Sequence, residues 1–285
     1  MRYKRVDGER LSGLDGFHSV LPYVMPRRTD AEVSCHETFD VTDLCDYMAH
    51  RNSNEGIKLK LFHAFCTAFA RTIFLRPKLN IFIAGKRFWQ RSDITMSFVV
   101  KREFKDSAEE SLMFMKVDPD MNIDSISKLI LGDVDKLRKS DANDLDKAMN
   151  FVGKLPRFLL QIIFGIIRQL EYFGIMPKSL MAGDPNYSTV LLSNLGSIGI
   201  GSPYHHLNNY GTCSIMITIG TMKKQFVNMP DGSNQERVML DATFTLDERI
   251  ADGFYFAKAL RIMHYLLENP EALAEKISDP VPVAV

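Results

Sequence analysis

The sequence has few of the features that usually announce a chemistry. Its 285 residues include four cysteines and one tryptophan, and 35 Lys plus Arg balance 35 Asp plus Glu. Cys35, Cys45, Cys66 and Cys213 form no C-x-x-C pair. That argues against a disulfide framework or a structural zinc site and fits a reducing cytoplasm. Zero net charge removes the global electrostatic case for nucleic acid. The first residues contain no apolar run of signal-peptide type. The most apolar stretch, residues 158–167, is too short to span a bilayer and is bracketed by Arg157, Arg168 and Glu171. There is no Walker A sequence and no G-x-S-x-G elbow. Gly199-Ile200-Gly201 lacks the spacing and the following helix of a dinucleotide fingerprint.

What is present is ordinary for a globular protein: 46% hydrophobic and 25% charged residues, enough for one large core or two small ones. Arg2, Lys4, Arg5, Arg10, Arg27 and Arg28 make residues 1–30 a mildly basic arm, expected to be solvated. Residues 33–41 alternate and predict a strand, after which Asp43 offers an N-cap for a short helix to about residue 51. Residues 57–74 carry Leu61, Phe65, Ala68, Phe69 and Ile73 on one face, which predicts a helix stopped by Arg76-Pro77. Residues 80–84 and 88–90 predict strands around a Gly85-Lys86 turn, and 94–104 another strand. From 107 to 174 the pattern is mainly helical, with helices expected over 124–138, 141–152 and 154–173. The last has a very wide apolar face, suited to the core or another subunit, or else to the plane of a membrane through residues 155–173. Strands follow at 187–192, 211–221 and 238–246, the last two joined through Pro230-Asp231-Gly232-Ser233. Residues 31–275 form one domain in this reading, with 107–174 as a helical insert and 276–285 as a loose tail.

Two motifs stand out. Asp247-Glu248-Arg249-Ile250-Ala251-Asp252-Gly253 follows the alternating 238–246 segment and precedes an apolar helix pattern. It resembles the D-H-R-x-x-D-G signature of the acyltransferase (E2) catalytic domain of 2-oxo acid dehydrogenase complexes, and the H-x-x-x-D-G signature of chloramphenicol acetyltransferase. Glu248 stands where those families have histidine. Upstream, residues 187–196 end in Ser193-Asn194-Leu195-Gly196 and resemble the E2 segment F-T-I-S-N-L-G. Residues 213–220 resemble the A-A-I-L-A-V-G strand that follows it. Order and spacing agree, and the resemblance spans about residues 33 to 270.

The resemblance implies an α+β fold, a mixed sheet flanked by helices, of the E2 catalytic-domain and chloramphenicol acetyltransferase type, assembled as a homotrimer. It implies an active site between two subunits that admits coenzyme A from one end and an acyl acceptor from the other. Ser193 would donate to the tetrahedral oxyanion, Glu248 would occupy the position of the base, and Asp252 would order the site. Asp247 and Arg249 would form a buried ion pair. Asn194 and Gly196, in the same turn as Ser193, are candidate contacts for coenzyme A. Nothing in the sequence resembles a lipoyl domain or a subunit-binding domain, so a stand-alone acyltransferase acting between acyl-coenzyme A and a small-molecule acceptor is expected.

The chemistry is less settled than the fold. Acyl transfer needs a base near the nucleophile and donors aimed at the oxyanion. A free glutamate (pKa ~4.3) facing a thiol (~8.5) leaves proton transfer uphill by roughly 6 kcal/mol. Three readings stay open: Glu248 as a retuned base, Glu248 as a structural or ligand-anchoring carboxylate in a trimer without turnover, and a base supplied by another residue. His205 or His206 is the candidate for the last, though adjacent histidines on a strand face opposite sides. Ser193 is either an oxyanion donor or a serine capping its own turn. No third ligand accompanies the histidines, so no metal is expected. His63, on the apolar helix pattern, reads as a packed core residue.

Overall fold

The computed structural model describes residues 5–56, 58–101, 110–139 and 152–283. Its strands are β1 (Gly8–Arg10), β2 (Glu32–Asp40), β3 (Ile81–Ala84), β4 (Arg87–Arg91), β5 (Ile94–Lys101), β6 (Glu110–Val117), β7 (Val190–Asn194), β8 (Ile215–Asn228) and β9 (Asn234–Asp247). A six-stranded sheet runs β2-β9-β8-β7-β5-β6, and β1-β4-β3 form a small second sheet. β7 pairs parallel with both β5 and β8, while β2–β9, β8–β9 and β5–β6 are antiparallel. The sheet is therefore mixed, as expected.

Alternation decides what each face of the large sheet does. Val190 and Leu192, Ile215, Ile217 and Ile219, and Leu240, Ala242, Phe244 and Leu246 are all buried in one core. Their neighbours Ser193, Thr218, Thr243 and Thr245 take the opposite side, because successive side chains in a strand point to opposite faces. The core side is covered by the helices Leu61–Leu75 and Gly253–Glu268. Phe65 and Phe69 from the first helix meet Phe244, with ring centroids 6.4 and 6.3 Å apart. Each such side chain, fully buried, contributes on the order of 1.5–3 kcal/mol. His63 does lie in this packing: its Nδ1 sits 2.8 Å from Ser127 Oγ, and burial pushes its pKa down to about 4.

Several expectations change. Residues 110–117 are a strand, not helix, because Met113, Met115 and Val117 alternate into the core against β5. Of the helix expected at 141–152, all but Val152 lies outside the described residues. The helix after Val41 runs Thr42–Glu55, and Asp40 rather than Asp43 takes its first free amide, accepting from Thr42 N at 3.0 Å. The basic arm is not solvated throughout. Arg5 is buried, with Nε 2.7 Å from Asp7 and Nη1 2.5 Å from Glu171, and its guanidinium lies over Phe82 and Trp89. Its partner Glu171 is far away in sequence, so no local pattern shows the contact. The tail is packed as far as Val281: Ile277 and Val281 are buried, and Arg71 donates to the carbonyls of Ala272, Asp279 and Pro280.

The greasy helix is Arg157–Phe173, begun by Pro156 and closed by Gly174 at φ 71°. None of its residues is buried, so it is not a core helix; Phe158, Ile162 and Ile166 are exposed. Among the described residues no helix is long and apolar enough to cross a membrane.

Candidate active site

The turn after β9 is held by charge. Asp247 and Arg249 are both buried, and the Arg249 guanidinium grips the Asp247 carboxylate through Nε at 2.7 Å and Nη2 at 2.6 Å. Arg249 Nη1 also donates to Met25 O at 2.6 Å. The ion pair implied by the resemblance is therefore present. Glu248, between its two members, is exposed, and its amide donates to Ala31 O at 2.9 Å. The cation beside it in sequence is turned inward and does not serve Glu248. Asp252 is the N-cap of the 253–268 helix, accepting from Tyr255 N at 2.8 Å. Its visible task is to end the turn and start the helix.

Ser193 lies near the end of β7, half-buried, and its hydroxyl makes no hydrogen bond to any described residue. It is not a serine capping its own turn; Ser197 does that, donating to Asn194 O at 2.8 Å. Gly196 is required by close approach: a Cβ there would overlap the Gly220 carbonyl on β8. The S-N-L-G turn thus rests directly on β8 backbone, and this contact fixes Ser193.

The loop after this turn crosses the polar side of the sheet. Thr218 Oγ1 donates to Pro203 O at 2.6 Å, and Thr243 Oγ1 to Ser202 O at 2.8 Å. Further on, Leu207 N donates to Glu32 Oε2 at 2.9 Å. His205 and His206 lie between these anchors, both exposed and in irregular backbone. They are not on a strand, and their rings lie side by side with centroids 4.9 Å apart. The reason is that Ser202 and Pro203 carbonyls bond threonine hydroxyls instead of a neighbouring strand. His205 Nδ1 lies 2.9 Å from the His206 carbonyl, which can only accept. Nδ1 therefore donates, which leaves Nε2 as the only ring nitrogen that could serve as a base.

Register shows how far apart the two key groups are. Ser193 pairs with Thr218 and Thr218 with Thr243, so the three lie at one level. Glu248 comes five residues after Thr243, at the level where Glu32 pairs with Asp247. At ~3.3 Å per residue along the strands and ~4.8 Å between them, the backbones of Ser193 and Glu248 are roughly 19 Å apart. Within one chain they cannot act on the same atom. His205 and His206 sit on the path between them.

These features define a class: an α+β protein with the fold of E2 catalytic cores and chloramphenicol acetyltransferase. Residues 176–275, which contain both motifs, match the family described as 2-oxoacid dehydrogenases acyltransferase (catalytic domain). The chain is 25% identical over 252 residues to the lipoamide acyltransferase component of the branched-chain alpha-keto acid dehydrogenase complex of Bacillus subtilis (strain 168). That match covers 85% of this chain and 49% of the relative, so the chain spans about half the length of the curated relative. A solved structure of a probable dihydrolipoamide acetyltransferase from Listeria monocytogenes superposes with a TM-score of 0.58 at 19% identity, covering 92% of this chain and 95% of that one. A chloramphenicol acetyltransferase gives 0.55 at 11% identity, covering 91% and 99%.

One feature was not legible in the sequence. A cleft of about 720 Å³ opens beside the Asp247–Arg249 pair, between the segment around Arg27 and Arg28, the β3–β4 turn and the 157–173 helix. Its only advance signal was the Arg27-Arg28 pair, read there as part of a solvated arm.

Proposed function

We propose that this protein transfers an acyl group between coenzyme A and a small-molecule acceptor, at sites formed between the copies of a homotrimer. The observation that carries the reading is the separation of Ser193 and Glu248. Ser193 is half-buried near the end of β7, and Glu248 is exposed in the turn just after β9. A second copy packed beside the first would bring the Glu248 of one chain to the Ser193 of the other.

In the reaction the acceptor attacks the thioester carbonyl, and the carbonyl oxygen takes up negative charge. Ser193 Oγ–H donates to that oxygen, and one such donor is worth roughly 10²–10³ in rate. Glu248 takes the acceptor's proton. Collapse of the intermediate breaks the carbon–sulfur bond and releases coenzyme A, whose sulfur takes up a proton. Asp247, Arg249 and Asp252 hold the turn that carries Glu248. A second reading, a trimer that binds ligand without turnover, draws on Glu248 itself, since a carboxylate is a weak base for this step.

The test is thiol release from acetyl-coenzyme A with amine, hydroxyl and thiol acceptors. Wild type is expected to turn over, Ser193→Ala to be slower by about 10²–10³, and Glu248→Gln to be inactive. Unchanged turnover in Glu248→Gln removes Glu248 as the base and leaves His205 or His206. Turnover in Glu248→His alone favours the binding reading.

A further inference from the structure

The 157–173 helix takes no part in the proposed transfer, and its outer side is apolar. It is held on the protein through Ile167 and Leu170, which pack against Met176, Met181 and Tyr187. Phe158, Ile162 and Ile166 recur every fourth residue and Phe173 follows seven later, so the four form one stripe along the helix. Each of them is at least half exposed. A helix of a globular protein normally turns its apolar stripe toward the core. This one carries a further stripe outward.

A second helix repeats the arrangement beside it. Gly16–Val24 buries Leu21 and Pro22, while Phe17, Val20, Tyr23 and Val24 are each more than half exposed. The two helices meet at the β3–β4 turn. Lys86 Nζ lies 4.5 Å from the centre of the Tyr23 ring. At Gly85 a Cβ would overlap the Tyr172 carbonyl, so the turn packs its backbone directly on the end of the 157–173 helix. Tyr23 and Tyr172, both exposed, thus flank one tight turn.

The charge available on this side has one sign. Arg27, Lys86, Arg157 and Arg168 form no ion pair with a described residue. The carboxylates of residues 15–30 and 157–173 are all engaged. Glu171 is held by Arg5 Nη1 at 2.5 Å, Asp30 accepts from the Arg27 amide at 3.2 Å, and Asp15 accepts from the His18 amide at 2.9 Å. A second copy docking face to face would have to set carboxylates against these cations, and this side has none to offer. An anionic bilayer needs no such match. Apolar side chains enter between the acyl chains, cations stay among the phosphates, and tyrosines sit at the boundary. Among the described residues no helix is long and apolar enough to cross a membrane, so the contact lies in the membrane plane.

We propose that this side of the protein rests on the surface of an anionic lipid bilayer, with both helices lying in its plane. Phe158, Ile162, Ile166, Phe173, Phe17 and Val24 enter the acyl boundary, and Arg27, Lys86, Arg157 and Arg168 meet the headgroup phosphates. The inference does not rest on the acyl-transfer reading, and silence in the thiol-release assay leaves it standing.

Flotation of the full chain with vesicles tests it, using phosphatidylcholine alone or mixed with phosphatidylglycerol. The chain is expected to float with the mixed vesicles at low salt, about tenfold or more above phosphatidylcholine alone, and to be released as salt rises. Ile162→Gln with Ile166→Gln should lower that partitioning about tenfold or more. Arg157→Gln with Arg168→Gln should lower it to a similar extent on mixed vesicles only. All four side chains are exposed, so Tm should stay that of wild type. Should the isoleucine pair fail to fold, Phe17→Gln with Val24→Gln makes the same test on the other helix. No flotation with mixed vesicles, or unchanged flotation in a folded apolar variant, overturns the proposal. So does a fall in the assembly mass of that variant without vesicles, read by sedimentation equilibrium, because a second copy would then be what covers this face.

Discussion

The buried Asp247–Arg249 pair makes the sharpest stability prediction. Asp247 Oδ1 accepts from the Arg249 amide at 3.2 Å and from Nε at 2.7 Å, while Oδ2 accepts from Nη2 at 2.6 Å. Asp247→Ala removes all three bonds and leaves a guanidinium that is 2% exposed in the native structure with only Met25 O as a partner. Breaking a buried pair from one side costs about 3–5 kcal/mol, because the surviving charge stays desolvated. At roughly 2–3 °C per kcal/mol for a chain of this size, Tm should fall by about 6–15 °C. Replacing both members, as in Asp247→Leu with Arg249→Met, removes both charges and should recover most of the loss. Glu248→Ala, on the exposed residue between them, should change stability by no more than about 0.5 kcal/mol. Scanning calorimetry at fixed protein concentration reads all three. A loss under about 1 kcal/mol in Asp247→Ala would refute the claim that this pair holds the turn.

Other consequences follow from single contacts. Gly196→Ala must push the S-N-L-G turn off the Gly220 carbonyl. Overpacking of this kind costs about 1–3 kcal/mol, and Ser193 moves with the turn, so turnover should fall together with Tm. Wild-type stability in that variant would show that the contact relaxes freely. Burial holds His63 near 4, against 6.5 for an unperturbed histidine. The unfolded chain therefore binds the proton first as pH falls. Stability is full above pH 6.5, declines between 6.5 and 4 and then levels off, a loss of roughly 3 kcal/mol. Urea unfolding of His63→Gln should lack that slope, and an unchanged slope would place its source elsewhere.

The fold was legible wherever apolar period and turn chemistry agreed. Alternation located β2, β5, β8 and β9, and Pro230 to Ser233 marked the hairpin. It failed at β6, where Leu112, Met113, Phe114 and Met115 are continuously apolar and the segment reads equally well as a helix face. The site was legible in part. Ser193, Gly196, Asp247, Arg249 and Asp252 belong to short motifs whose local geometry carries their role. The histidine pair was placed on a strand because only sequence neighbours were in view, whereas Thr218 and Thr243 shape that loop from across the sheet. The cleft escaped entirely. It depends on Arg28, Tyr187 and Glu171 meeting through the tertiary fold, and isolated charges in a sequence look solvated.

The central claim is that each reaction site draws Ser193 from one chain and Glu248 from another. It is tested most directly by co-expressing Ser193→Ala and Glu248→Gln chains with different tags, isolating mixed assemblies and measuring thiol release from acetyl-coenzyme A. Each variant alone should be nearly inactive. In each mixed trimer one interface in three pairs an intact Ser193 with an intact Glu248, so activity should return to roughly a third of wild type. Mixed assemblies no more active than the single variants would contradict a site shared between chains.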